Sequence, residues 1–178
     1  DQPFRNPALA RTLKLLARKG GPAFYQGPLA EQILDGVNAL QASEPNFRGW
    51  SSADLSSYAV VQRTPLCSQQ LEHRICTVPP PSSGGLALLQ TLALLKQTTN
   101  LASSSAGEPQ VWRQLARAQA WADADRLYWV HDPIDGAVPS SALLDPAYIA
   151  SRARAMQGAN GERPTPGLPL GIDRYPYG

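Results

Sequence analysis

Apolar positions recur along this chain at helical spacing in two stretches, separated by one stretch with a strand-like pattern. Asn6-Pro7 pairs an N-capping side chain with a proline in the first helical position, where its missing N–H costs nothing. Leu9, Leu13 and Leu16 follow on one stripe, and Lys14, Arg18, Lys19 and Gly20-Gly21 close the helix. A second helix is predicted from Pro28 to about Leu40, with Leu29, Ile33, Val37 and Leu40 on one face. Ser51 and Asp54 have capping-box spacing and predict a short helix. Helical periodicity returns after residue 81. Ser82-Ser83 can cap a helix burying Leu88, Leu92 and Leu95, and Pro109 to Val130 is an Ala-rich helix carrying Trp112, Leu115, Ala122 and Trp129. Asp145-Pro146 repeats the cap-plus-proline device and launches a helix with Ile149, Ala153 and Met156 in register.

Between these stretches, Ala59–Thr64 and Arg74–Val78 are rich in β-branched residues and read as two strands, the first demoted to an edge by Pro65. The triple proline Pro79-Pro80-Pro81 ends the second. From Gln157 onward, five Gly and four Pro in 22 residues predict an extended, weakly ordered tail unless something packs on it. The pattern therefore divides into a helical segment (1–58), a β-hairpin (59–80), a second helical segment (81–156) and a Gly/Pro-rich tail (157–178). The predicted fold class is α+β, mainly α-helical with one β-hairpin.

Composition narrows the class. The chain has 178 residues, 43% of them hydrophobic, enough for a core without obligatory metals or disulfides. A net charge of +2 is too balanced for a dedicated nucleic-acid binder. No apolar run reaches membrane-spanning length, and residues 1–19 do not read as a signal peptide.

Several phrases occur together and in order. They are Phe4–Leu13, Gly20–Gly27, Gly49–Leu55 through Tyr58, the heptapeptide Pro79-Pro80-Pro81-Ser82-Ser83-Gly84-Gly85, Ala124-Asp125-Arg126, Asp132-Pro133, Val138-Pro139 and Ala147-Tyr148. This series resembles the γ-glutamyltransferase (γ-glutamyltranspeptidase) family, in the second half of its large subunit. The resemblance implies a fragment of an N-terminal-nucleophile hydrolase with a four-layer αββα fold. Such enzymes cut their own precursor to expose a threonine, whose hydroxyl attacks a γ-glutamyl amide with its own amino group available as base. It further implies that this threonine and the oxyanion-hole glycines lie in the small subunit, beyond residue 178, and that the arginine binding the substrate carboxylate precedes residue 1. No catalytic residue of the family then maps onto this chain, which alone is expected to be inactive. The expected partners are the remainder of the large subunit, the small subunit and a γ-glutamyl substrate, with no cofactor. Related acylases of cephalosporin or polyglutamate type are an alternative, as is a non-catalytic helical scaffold.

Individual residues carry competing readings. Ser82 and Ser83 at a helix start could form an anion or carbonyl site, or simply terminate a strand and cap a helix beside two close-packing glycines, Gly84 and Gly85. A Ser–His–Asp triad could be written with His73 or His131, but no spacing demands it, and metal-ligand spacing is absent. Asp125 and Arg126 point about 100° apart on a helix and so are expected to serve different partners. Where the family usually has Glu nine residues before this arginine, the chain has Arg117. The four tryptophans, Trp50, Trp112, Trp121 and Trp129, suit core or interface packing, and exposed ones would favour self-association.

The cysteines complete the picture. A two-residue turn at Leu71-Glu72 pairs residues whose numbers sum to 143, which sets Cys67 opposite Cys76 in a non-hydrogen-bonded pair at disulfide-compatible distance. The expectation is a disulfide rather than two separate thiols, and with it a periplasmic or extracellular location, since the resembling family is commonly exported.

Overall fold

The computed structural model describes residues 4–44, 46–70, 72–99, 105, 107–132, 137–159 and 161–172. Leu71, Pro133 and Asp173–Gly178, which entered the sequence reading, lie outside the described residues. The chain forms two compact units that divide between Gln62 and Arg63.

The first unit is helical. Helix α1 (Pro7–Lys19) begins where Asn6 Oδ1 accepts the Leu9 N–H and ends at Gly20, whose φ of 76° suits glycine. A single turn, α2 (Pro22–Tyr25), leads to α3 (Pro28–Asn38), which tightens into a 3-10 turn over Ala39–Ala42. Asn38 then grips the returning chain: its Oδ1 accepts the Trp50 N–H at 2.7 Å and its Nδ2 donates to the Trp50 carbonyl at 2.8 Å. Helix α4 (Ser52–Ser56) starts in the expected capping box, with Asp54 accepting from the Ser51 backbone and hydroxyl.

The second unit opens with an antiparallel hairpin of β1 (Leu66–Gln70) and β2 (His73–Thr77). Its register is the one the cysteine argument requires, Cys67 opposite Cys76, and the two are joined by a disulfide with Cα atoms 4.1 Å apart. The first strand nevertheless lies later than predicted: Ala59–Thr64 is not strand. The reason is in the register. Continuing it would set Thr64, Arg63 and Gln62 against Pro79, Pro80 and Pro81, which have no N–H to donate.

Helices α5 (Ser83–Thr98), α6 (Pro109–Trp129) and α8 (Pro146–Gly158) pack together, with the single turn α7 (Ser140–Leu143) leading into α8. One cluster joins Leu94 and Leu95 of α5, Ala118 and Trp121 of α6, and Ile149, Ala153 and Met156 of α8. A second joins Leu86, Trp129, Leu143 and Tyr148. The buried face of α5 runs through Leu86, Leu89, Leu94 and Leu95, so the predicted face is corrected: Leu88 is 47% exposed. On α6 the prediction also shifts, because Trp121 and Trp129 are buried whereas Trp112 lies outward.

The tail falls under the exception in its prediction, because it packs against the helices. Residues 161–172 form an ordered strap against α6 and α8, with Pro169 fully buried. Composition reads the lack of regular structure correctly, and helix side chains bond three of the strap's backbone groups, the Thr165 carbonyl and the Gly167 N–H and carbonyl.

Candidate functional site

The heptapeptide Pro79–Gly85 connects β2 to α5. Pro80 is buried and the Pro80-Pro81 peptide is cis. Ser82 is the N-cap residue of α5, extended at φ −66° and ψ 117°, without a capping hydrogen bond from its side chain. Ser83 Oγ accepts from Arg126 Nη1 at 3.1 Å, and Arg126 Nε also pairs with Asp123 at 2.5 Å. Arg126 thus ties the start of α5 to the last turns of α6. Gly85 is buried under the end of β2, where a Cβ would overlap the Thr77 hydroxyl and the Val78 carbonyl, so only glycine fits. Beside the heptapeptide lies an open cleft of about 450 Å3, lined by Arg63, Thr64, Pro79, Pro80, Ala137, Val138 and Ser140. Its guanidinium and two hydroxyls are groups suited to a carboxylate or carbonyl.

The other sequence candidates do not join this site. His73 is exposed beside the hairpin turn, and His131 Nδ1 lies 2.9 Å from the carbonyl of its own neighbour Asp132. The described bonds of Ser83 run to Arg126 rather than to an imidazole. Among the described residues no group of three or more His, Cys, Asp or Glu side chains could hold a metal ion.

Asp125 and Arg126 diverge as the helix dictates. Arg126 reaches Asp123 and Ser83, whereas Asp125 turns into the unit and is 1% exposed. There its Oδ1 pairs with Arg152 Nη2 at 2.9 Å and accepts the Gly167 N–H at 2.8 Å. Its Oδ2 accepts from the Tyr148 hydroxyl at 2.8 Å and from Gln90 Nε2 at 3.2 Å. Burial pushes the carboxyl above the usual carboxylate range, opposed by Arg152, the Gly167 N–H, Tyr148 and Gln90. Arg152 lies with its guanidinium carbon 4.5 Å from the centre of the Trp121 ring and donates to the Thr165 carbonyl at 2.8 Å. Sequence reasoning singled out Asp125 and named Tyr148 only within Ala147-Tyr148, and it missed Gln90, Arg152 and Gly167. The available signal was one charge on each of two apolar stripes: Asp125 among Ala118, Trp121, Ala122 and Trp129, and Arg152 among Ile149, Ala153 and Met156.

Arg117 also has a defined task. Its Nη2 donates to the Met156 carbonyl and, at 3.1 Å, to the Ala159 carbonyl, satisfying acceptors at the end of α8 where a cation is favoured. In this chain the positive charge at position 117 therefore closes a helix.

Comparison with known proteins shows the family. The family described as Gamma-glutamyltranspeptidase matches residues 1–170. The glutathione hydrolase proenzyme of Escherichia coli (strain K12) is 33% identical over 145 residues, 82% of this chain and 24% of that protein. The acylase ACY 1 proenzyme of Pseudomonas sp. (strain SE83) is 32% identical over 159 residues, 89% of this chain and 27% of that protein. Among solved structures, a gamma-glutamyltranspeptidase from Pseudomonas nitroreducens complexed with L-DON superposes with a TM-score of 0.73 at 30% identity, over 93% of this chain and 49% of that one. The chain thus spans about a quarter of the length of the curated relatives it matches.

Proposed function

The chain belongs to the gamma-glutamyltranspeptidase family, and on that premise we propose that it forms the second half of the large subunit of an enzyme that transfers or hydrolyses γ-glutamyl groups. The observation that carries this reading is the family match across residues 1–170 together with the ordered heptapeptide Pro79–Gly85. The parent is an N-terminal-nucleophile hydrolase of αββα architecture, and its threonine follows this chain in the small subunit. During maturation that threonine's hydroxyl attacks the preceding carbonyl carbon. The peptide C–N bond breaks, the nitrogen takes a proton to become the new N-terminal amine, and water hydrolyses the ester left behind. In catalysis the same hydroxyl takes the γ-glutamyl group as an ester and passes it to water or to an amine. No cofactor takes part.

The heptapeptide and its cleft lie close to the active site of the assembled enzyme, where the Ser83–Arg126 bond and the close packing at Gly85 hold the start of α5 in place. Residues 1–178 alone carry no turnover. The Cys67–Cys76 disulfide supports a periplasmic or extracellular location. The 32% identity to an acylase proenzyme favours one alternative, acyl transfer from a different amide. Steady-state assays of the full-length protein separate the two. Preferential release of aniline from a γ-glutamyl anilide supports the γ-glutamyl reading, and preferential cleavage of a longer acyl amide supports the acylase.

A further inference from the structure

The buried pair Asp125–Arg152 is used by no step above, yet each of its members holds a backbone group of the strap. Gly167 donates its N–H to Asp125 Oδ1 at 2.8 Å, Thr165 offers its carbonyl to Arg152 Nη2 at 2.8 Å, and the Gly167 carbonyl accepts from Trp129 Nε1 at 2.9 Å. Three helices contribute to the pair's surroundings: Gln90 from α5, Trp129 from α6 and Tyr148 from α8. A buried ion pair is weak evidence for stability, since apolar residues of similar volume often serve as well. What this one supplies is register. Sliding the strap by one residue in one direction would bring Pro166, which has no N–H, to Asp125. Sliding it in the other would bring Leu168 into a space where even the Cβ of an alanine at 167 would overlap the Tyr148 hydroxyl and lie 2.7 Å from Arg152 Cδ. Pro164, Pro166 and Pro169 restrict φ on both sides of the clasped residues, so the grip at 165–167 sets the direction of the neighbouring chain.

We propose that Asp125 and Arg152 are positioning residues for maturation: they clasp residues 165–167 in one register and thereby fix the route by which the chain leaves α8 for the cleavage point. This rests on the reading that a self-cleaving threonine follows this chain. Neither residue touches the reacting atoms. The effect is confined to how often the uncut precursor presents its scissile bond correctly.

The test uses the full-length protein with Gly167→Ala and, separately, Asp125→Asn. Gly167→Ala sets a methyl against the Tyr148 hydroxyl and Arg152 Cδ, and so disturbs the clasp by overlap without deleting any core side chain. It therefore remains informative if Asp125→Asn, which strands the Arg152 charge, fails to fold. Hydrogen exchange of the peptide covering 161–172 reads the clasp. Conversion of purified, folded precursor into two subunits reads maturation, and the KM of the matured fraction reads the finished site. Exchange should rise and maturation slow by about tenfold or more, the scale of one lost hydrogen bond to a charged group. The KM of molecules that do mature should stay at the wild-type value, which general destabilisation of the fold would not predict. Wild-type maturation rates in folded Gly167→Ala protein with an exchanging strap would overturn the proposal, as would a strap that stays protected in that variant. A wild-type protein that never cleaves would instead overturn the maturation reading on which the proposal rests.

Discussion

The two units use similar helix-starting devices and reach opposite outcomes in their interiors. In residues 4–62, α1 has a well-formed cap, proline start and glycine stop, yet none of its residues is buried, and Leu9 and Leu13 are about half exposed at 50% and 55%. Among the described residues of that unit only Ala30 and Leu55 are buried apolar side chains. In residues 63–178, Leu86, Leu89 and Leu143 are fully buried, and a charged pair is enclosed with them. Capping and amphipathic spacing decide where a helix begins and which stripe is apolar. They do not decide whether that stripe has a partner within the same unit.

Substitutions can break this contrast, and the largest effect belongs to the enclosed pair. Asp125→Ala leaves the Arg152 guanidinium buried without its carboxylate, and a loss of about 3–5 kcal/mol is expected from chemical unfolding. Leu89→Ala empties a fully enclosed position and should cost about 2–5 kcal/mol, whereas Leu13→Ala on α1 should change stability by less than about 0.5 kcal/mol. Equal costs for the two leucine variants in urea titrations would erase the distinction between the units. Removing the disulfide with Cys67→Ser and Cys76→Ser together should lower stability by about 2–3 kcal/mol, read as a shift in the thermal midpoint of non-reduced samples. Asn6→Ala should cost about 1 kcal/mol or less and reduce helical ellipticity at α1 alone.

The smallest effect is one of pH. Asp54 is held below the usual carboxylate range, first by the Ser51 backbone N–H and then by its hydroxyl. Because the folded pKa is the lower one, its support for α4 is present above the unfolded value of about 3.8 and is lost as pH falls through the folded value. Asp125 has the opposite sign. Its carboxyl is raised by burial, so the folded state takes up that proton more readily than the unfolded chain, and acid does not unfold the protein through this group. Amide protection at α4 should accordingly fade in acid, and Asp54→Asn should remove that pH dependence.

Much of this architecture was legible in the sequence because it depends on neighbours in the chain. Asn6-Pro7, Ser51 with Asp54, and Asp145-Pro146 each mark a helix start through bonds spanning three residues or fewer. The hairpin register followed from one turn and two cysteines. What was not legible depends on distant partners. Ala59–Thr64 has strand composition, but the prolines that would face it leave no hydrogen-bond ladder to complete. The strap has the composition of a loose tail, yet Thr165 and Gly167 are held by Asp125, Arg152 and Trp129, whose positions only the folded helices define. Arg117 looked like a reversed charge, and its use became clear only when α8 ended beside it. The heptapeptide was the strongest signal of family, and its local geometry gives a reason: Gly85 admits no side chain, and Ser83 is tied to Arg126.

The central claim is that this chain frames a site whose nucleophile lies elsewhere in the same protein, and trapping the acyl-enzyme tests it most directly. Full-length protein would be quenched during turnover of a γ-glutamyl donor, digested and mapped by mass spectrometry. The account predicts a γ-glutamyl mass on the N-terminal threonine of the smaller maturation product and none within residues 1–178. A γ-glutamyl ester on Ser82 or Ser83, abolished by substituting that serine, would contradict it.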